Sequence, residues 1–186
     1  MADEVGLGQL TLARLAQHLD VRQPSLYKHI ASMADLHRGI AVQAKRELGD
    51  VLSRAAVGRA GAAAISSMSQ AYREWALTHP ARYEASQVMP DADDVEHEAV
   101  SLAVVQIIAD VLSGYELQGD QAVDAIRAFR SYLHGFVTLE AAGSFRLNAD
   151  IDRSFASTID GFARTLAPQK ESGPSTDPNR DSVDSK

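Results

Sequence analysis

A chain of 186 residues with net charge −7, 45% apolar and 23% charged, has the composition of an ordinary globular protein: one sizeable core, or a small module joined to a larger one. No window approaches about eighteen uninterrupted apolar residues, which argues against a membrane-spanning helix, and the opening MADEVGLG lacks the basic-then-apolar pattern of a secretory leader. The lack of cysteine excludes disulfides and thiolate metal sites, and a cytoplasmic chain is the simplest expectation.

Alanine is abundant and β-branched runs are short, so helices are expected throughout. Thr11 is placed to cap a short helix from Leu12 to about His18, with Leu12, Leu15, Ala16 and Leu19 on one face. A tight break follows, and Asp20 suits it because aspartate tolerates a left-handed backbone. A second short helix is expected from about Gln23 to His29, with Pro24 in its first turn, where a missing N–H costs nothing. Leu26 and Ile30 then point inward, while Pro24, Ser25, Tyr27 and Lys28 fall on the outer half.

Ser32 is placed to cap a longer helix from Met33 to about Ser53, with Asp35 giving a weak capping box. AVGRAGAAA makes a soft joint from Ala56 to Ala64. Helical patterning resumes from about Ala62 to Leu77 and stops at His79–Pro80. A short helix from Pro80 to Val88 precedes an acidic loop ending near Asp94, and an apolar helix spans Val95 to Leu112 before Ser113–Gly114. The last two helices are marked by Ala122, Ile126, Phe129, Leu133, Phe136 and Val137, then by Ile151, Phe155, Ile159, Phe162 and Leu166. From Pro168 onward the chain is polar and lacks aromatics, so a disordered tail is expected.

The charge is unevenly spread. Between Thr11 and Arg46 stand Arg14, Arg22, Lys28, Arg38, Lys45 and Arg46 against only Asp20 and Asp35. This locally basic segment would suit a polyanion, whereas DADDVEHE, Asp91 to Glu98, would repel phosphate. On the second short helix, Gln23 can pair with adenine, Ser25 with several base edges, and Arg22 and Lys28 with phosphate or guanine.

Two short helices joined by a tight turn form a helix-turn-helix pattern. LTLARLAQHLDVRQPSLYKHI, followed by a Ser-capped helix, resembles the DNA-binding domain of tetracycline-repressor-like (TetR family) regulators. FRSYLHGFVTLEAAGSF, Phe129 to Phe145, resembles the His-Gly-containing helix of one subgroup of their C-terminal domains. The resemblance implies an all-α fold. A helix-turn-helix DNA-binding domain with its linking helix would occupy 1–53, a ligand-binding and dimerisation bundle 54–167, and the tail 168–186. Family members begin with a full helix, and only MADEV precedes GLGQLT here, so the first helix is expected to be truncated, with further residues upstream.

The implied function is a DNA-binding transcriptional regulator, a ligand-responsive repressor that holds a palindromic operator as a homodimer through its last two helices (about 120–142 and 150–167). The implied partners are double-stranded DNA and a small-molecule effector; no cofactor, metal or enzymatic activity is expected. The resemblance makes Tyr27 and His29 backbone contacts, and Thr11 and Pro24 complete the DNA-facing set. Leu12, Ala13 and Met33 stand where relatives often carry DNA-contacting polar or basic residues, which implies fewer phosphate contacts.

In the larger domain Met68, Tyr72, Trp75 and His79 recur along one helical face and read either as core or as pocket wall. His134 reads either as a satisfied core histidine or as a cavity residue, so the pocket candidates are Met68, Tyr72, Trp75 and His134. Gly135, mid-helix, reads as a packing glycine. Asp94, His97 and Glu98 have the spacing of a solvated helix start rather than of a metal site. Two other readings stand beside the regulator. An enzyme finds no Gly-x-Ser-x-Gly, phosphate-cradling loop or His-Glu-x-x-His in its favour. The other is a small-molecule-binding or interaction module that has lost DNA binding.

Overall fold

The computed structural model describes residues 1–166; the tail expected from Pro168 lies outside them. The described residues form helices and no β-strand, as the composition predicts. A single turn, α1 (Ala2–Val5), stands where a truncated first helix was expected, and a 3-10 turn at Leu7–Gln9 leads into α2 (Leu12–His18). Thr11 caps α2 by accepting the Arg14 N–H at 3.2 Å.

The break after α2 is a Schellman turn. Asp20 adopts φ 53°, Asp20 N–H reaches the Gln17 carbonyl at 3.2 Å, and Val21 N–H reaches that of Ala16 at 3.0 Å. Next comes α3 (Gln23–Leu26), shorter than the pattern suggested. Tyr27 to His29 continue as a turn because the chain is being drawn into the next cap. Ser32 accepts the Asp35 N–H, and Asp35 reaches back to the Ala31 N–H at 3.0 Å, one residue before the position a capping box would use.

Leu12, Ala16 and Leu26 are buried together, with Leu15, Ile30, Met33 and Leu36 packed around them. Leu12 and Met33 therefore form the small core of this head. Leu19, expected on the inner face, is 53% exposed, because it sits at the C-cap of α2 where the chain leaves the helical path.

α4 (Met33–Ala56) runs unbroken past position 53, and its buried residues from Ala41 to Leu52 lie in a second, larger core. After a turn at Val57–Ala60 come α5 (Gly61–Thr78), α6 (Pro80–Ser86), α7 (Val95–Leu112), α8 (Asp120–Ala141) and α9 (Ile151–Leu166). α4 packs on α5, α6 and α7, while α8 and α9 close the other side of α5. Phe129 and Phe155 are fully buried, and Phe129 stacks on Phe162 with ring centres 5.2 Å apart. Arg73 forks onto both carboxylate oxygens of Glu140 at 2.6 and 2.7 Å and also reaches Asp152, joining α5 to α8 and α9. The start of α6 is capped from a distance: Asp3 accepts the N–H groups of Ala81 and Arg82, both at 3.0 Å, and pairs with the Arg82 side chain.

No single helix among the described residues is long and apolar enough to cross a membrane. Gly135, read as a packing glycine, has no atom of its own chain within 4 Å of where a Cβ would stand. The close approach is at Gly49, where an added Cβ would sit 3.4 Å from the Ile107 side chain and 3.7 Å from that of Val104, at the crossing of α4 and α7. Gly49→Ala should therefore leave thermal stability unchanged or raise it. Gly49→Leu should cost about 1–3 kcal/mol by overpacking the crossing; calorimetric melting of the two variants checks this.

Candidate functional site

Around α3 the expected outer residues are all at the surface. Arg22, Gln23, Pro24, Ser25, Tyr27, Lys28 and His29 are exposed, and Leu26 alone is buried beneath them. Pro24 occupies the first turn, Arg22 stands at the N-cap in extended conformation, and Tyr27 is 55% exposed. Among the described residues Arg22 and Lys28 form no ion pair, so their charges are available to a partner. Thr11 is exposed while its side chain caps α2. Such a face offers hydrogen-bonding groups and cations on a short helix end, the chemistry of a major-groove contact.

The basic segment seen in sequence does not survive intact. Arg38 forks onto Asp94, with one bond at 2.6 Å, and reaches Glu96 at 2.8 Å; Arg46 reaches the other oxygen of Glu96 at 2.7 Å. Lys45 is only 6% exposed. The cations left at the head are Arg14, Arg22 and Lys28. The acidic run expected to repel phosphate instead neutralises the basic side of α4. Asp94 and His97, weighed as metal ligands, are occupied by Arg38 and Lys45.

A cavity of about 450 Å³ opens between α4, α5, α7 and α8. α4 contributes Lys45 and Leu48, and α7 contributes Ser101, Val104 and Ile108. α8 contributes Arg127, Arg130, Ser131 and His134, and the stretch after α6 closes one edge with Val88 and Met89. Of the residues expected to line a pocket, Tyr72 and His134 border this space. Met68 and Trp75 are buried in the core and do not border it. The Tyr72 hydroxyl lies 3.0 Å from that of Tyr83, which lies 2.7 Å from His134 Nδ1, so a continuous hydrogen-bonded row runs along this wall. Burial pushes the Tyr72 phenol well above its ordinary range, keeping it neutral.

The buried Lys45 has three partners: the Val88 carbonyl at 2.7 Å, Ser101 Oγ at 2.7 Å and His97 Nε2 at 2.8 Å. An ammonium only donates, so His97 Nε2 accepts and Nδ1 carries the proton, facing Asp94 at 3.8 Å. Burial lowers the pKa of both groups, and the Lys45 charge lowers that of His97 further. Hydrogen bonds from Arg38 push Asp94 down to about 2. The polar row thus runs from the cavity wall through Lys45, His97 and Asp94 to Arg38, near the start of α4.

Lys45 and Arg130 were missed in sequence, though each left a trace. Lys45 shares a helical face with Ala41, Leu48 and Leu52, an inward position for a lysine. Arg127, Arg130 and His134 form a polar stripe at three- and four-residue spacing along α8.

Residues 65–162 match the family model described as tetracyclin repressor-like, C-terminal domain. Over 142 residues the chain is 40% identical to the HTH-type transcriptional regulator Rv0681 of Mycobacterium tuberculosis, covering 76% of this chain and 65%, just under two thirds, of that protein's length. Over 168 residues it is 33% identical to the HTH-type transcriptional regulator YobS of Bacillus subtilis, covering 89% of this chain and 86% of the other. Its fold superimposes with a TM-score of 0.65 and 21% identity on a TetR variant from Acinetobacter baumannii in complex with minocycline, covering 89% of each chain.

Asp94 gives the network a pH signature. Its carboxyl is depressed in the fold, so the stability it contributes is complete above its ordinary value of 3.8 and lost as pH falls toward about 2. Asp94→Asn retains a capping side chain and removes the charge. Its melting temperature should lie below that of the parent at pH 7, and the gap should close between pH 4 and pH 2. A gap independent of pH would mean that the ion pair contributes nothing.

Proposed function

The chain belongs to the tetracycline-repressor-like family of helix-turn-helix transcriptional regulators, and from that premise we propose that it holds operator DNA as a homodimer and releases it when a small molecule occupies the cavity. The observation that carries this reading is the continuity of α4, which begins at the Ser32 cap beside α3 and places Lys45 and Leu48 in the cavity wall. The stretch from Met33 to Lys45 spans roughly 18 Å of rigid helix at 1.5 Å per residue. A ligand that displaces Lys45 or Leu48 therefore tilts the element on which the reading helix sits.

In this reading Gln23 and Ser25 face base edges, and Arg22, Tyr27, Lys28 and His29 face phosphates or guanine, with Thr11 and Pro24 at the approach to the backbone. One head covers one half-site, and a dimer sets two heads about 34–36 Å apart on a palindrome. The proposed dimer surface is formed by α8 and α9. On α8 it would include exposed Tyr132 and Leu139, and on α9 the small exposed residues Ala156 and Ser157. Gly135 belongs to the same proposal, since a helix from a second copy can approach where no atom of its own chain does. Such a protein works in the cytoplasm, where the DNA is, and carries no catalytic role.

Release follows from differential affinity. A ligand preferring one tilt of α4 weakens DNA binding, and DNA weakens ligand binding by the same factor. The row Lys45–His97–Asp94–Arg38 gives the tilt a second route, since movement of Lys45 disturbs the bonds that seat the first turns of α4 against α7.

A duplex selected from random sequence, titrated by fluorescence anisotropy at stated salt, tests the proposal. Gln23→Ala should lose about 1–3 kcal/mol on the selected duplex and little on unrelated DNA. Lys28→Ala should weaken both and flatten the log–log salt dependence by roughly 0.9 for each phosphate it no longer neutralises. Unchanged binding in both variants would remove α3 as the reading helix. Failure of the parent to select any duplex would favour the binding module that has lost DNA recognition.

A further inference from the structure

Resting on the reading of the cavity as the effector site, we propose that its occupant is an apolar acid: one carboxylate, or an equivalent single anionic group, on a hydrocarbon body. The ionisable wall residues other than His134 and Tyr72 are Lys45, Arg127 and Arg130 against a single carboxylate, Glu98, within a chain whose net charge is −7. Arg127 has an exposed partner in Asp124 at 3.7 Å. Arg130 has neither an ion pair nor a side-chain hydrogen bond among the described residues. Lys45 spends its three N–H groups on neutral acceptors, with no carboxylate within 4.0 Å among the described residues. Two like charges, one buried on α4 and one on α8, thus face the same space, with Glu98 the single carboxylate of the wall. Burial lowers the pKa of Lys45, Glu98 opposes that shift, and repulsion from Arg130 adds to it.

An anion entering this corner relieves that repulsion and gains charge-assisted hydrogen bonds, whereas a cation adds to it. Apart from the uncharged polar groups of Ser86, Gln87, Ser101 and Ser131, the rest of the wall is mainly hydrocarbon: Leu48, Val104, Val105 and Ile108 line it, with exposed Met89 and Leu102. At about 450 Å³ the space fits a drug-sized molecule with a single polar head. The acid head faces Arg130 and feels the charge of Lys45 on α4, whose N–H groups stay with Val88, Ser101 and His97.

Decanoate, 1-decanol and decylamine, compared below their aggregation thresholds on the full chain, separate charge from hydrocarbon. Calorimetry gives the affinities, and the methyl NMR signal of Met89, on the cavity rim, shows where each probe binds. Decanoate should bind at least about tenfold tighter than decanol, a difference of about 1.4 kcal/mol, and shift the Met89 signal. Arg130→Gln should bring the ratio of the two affinities close to one, and Glu98→Gln should raise it; Arg130 is exposed and unpaired, so its replacement leaves the fold intact. If decanol or decylamine shifts Met89 with equal or higher affinity, or if Arg130→Gln preserves the ratio, the acid is overturned and the cavity reading stands. If none of the three probes shifts Met89, the effector cavity and the acid both fall.

Discussion

Along one side of α4, Arg38, Lys45, Arg46 and Gly49 meet α7, and each meeting has a different physical basis. Arg38 pairs with Asp94 and shares Glu96 with Arg46 at the start of α7. Lys45 is buried against His97 and Ser101 one turn further in. At Gly49 the missing side chain lets Ile107 come within contact distance of the helix. The seam passes from surface ion pairs through a buried polar knot to apolar contact, so its stiffness rises along α4 away from the head. Exposed pairs such as Arg46–Glu96 contribute little individually. The buried knot resists disruption more strongly, because moving one member strands the others in a low-dielectric interior. α4 therefore has a firmly held middle and a more yielding first turn, the property that the proposed release of DNA would draw on.

The same seam decides which cations near the head stay free in a chain of net charge −7. Asp94 and Glu96 consume the cations of α4, and the remaining head cations, Arg14, Arg22 and Lys28, project from α2 and from the approach to and end of α3. Electrostatic contact with a polyanion is thereby confined to the reading helix and its neighbour. Inside the cavity the imbalance has the same sign, with Lys45, Arg127 and Arg130 against the single carboxylate of Glu98. Two cation-rich patches, one outside and one inside, lie on elements joined by α4, and in the proposed reading DNA and an anionic ligand address that helix from two places.

Much of the fold was legible from local signals. The caps at Thr11 and Ser32, the left-handed Asp20 and the span of α7 follow from side-chain chemistry that acts within four residues, and each stands where the pattern placed it. Contacts between distant segments left no such mark. The cap that Asp3 supplies to α6 comes from 78 residues away, and nothing near Pro80 announces it. Leu19 obeyed the helical period on paper but lay one residue past the helix end, so it turned outward. For the site, the exposed face of α3 could be read because amphipathic periodicity separates Leu26 from its polar neighbours. The cavity could not, because its wall is drawn from five helices and the segment after α6, and periodicity describes one helix at a time.

By itself, then, the order of residues determined that this chain is helical, that two short helices meet at a tight break with a left-handed Asp20, and which side of α3 faces outward. Those outcomes depend on hydrogen bonds and apolar spacing within a few residues. Only the tertiary structure decided that Gly49 rather than Gly135 marks the close crossing within the chain, that the acidic run quenches the basic helix, and that Lys45 and Arg130 face one cavity. Each of those depends on the distance between side chains far apart in the chain, a quantity set by how whole helices pack.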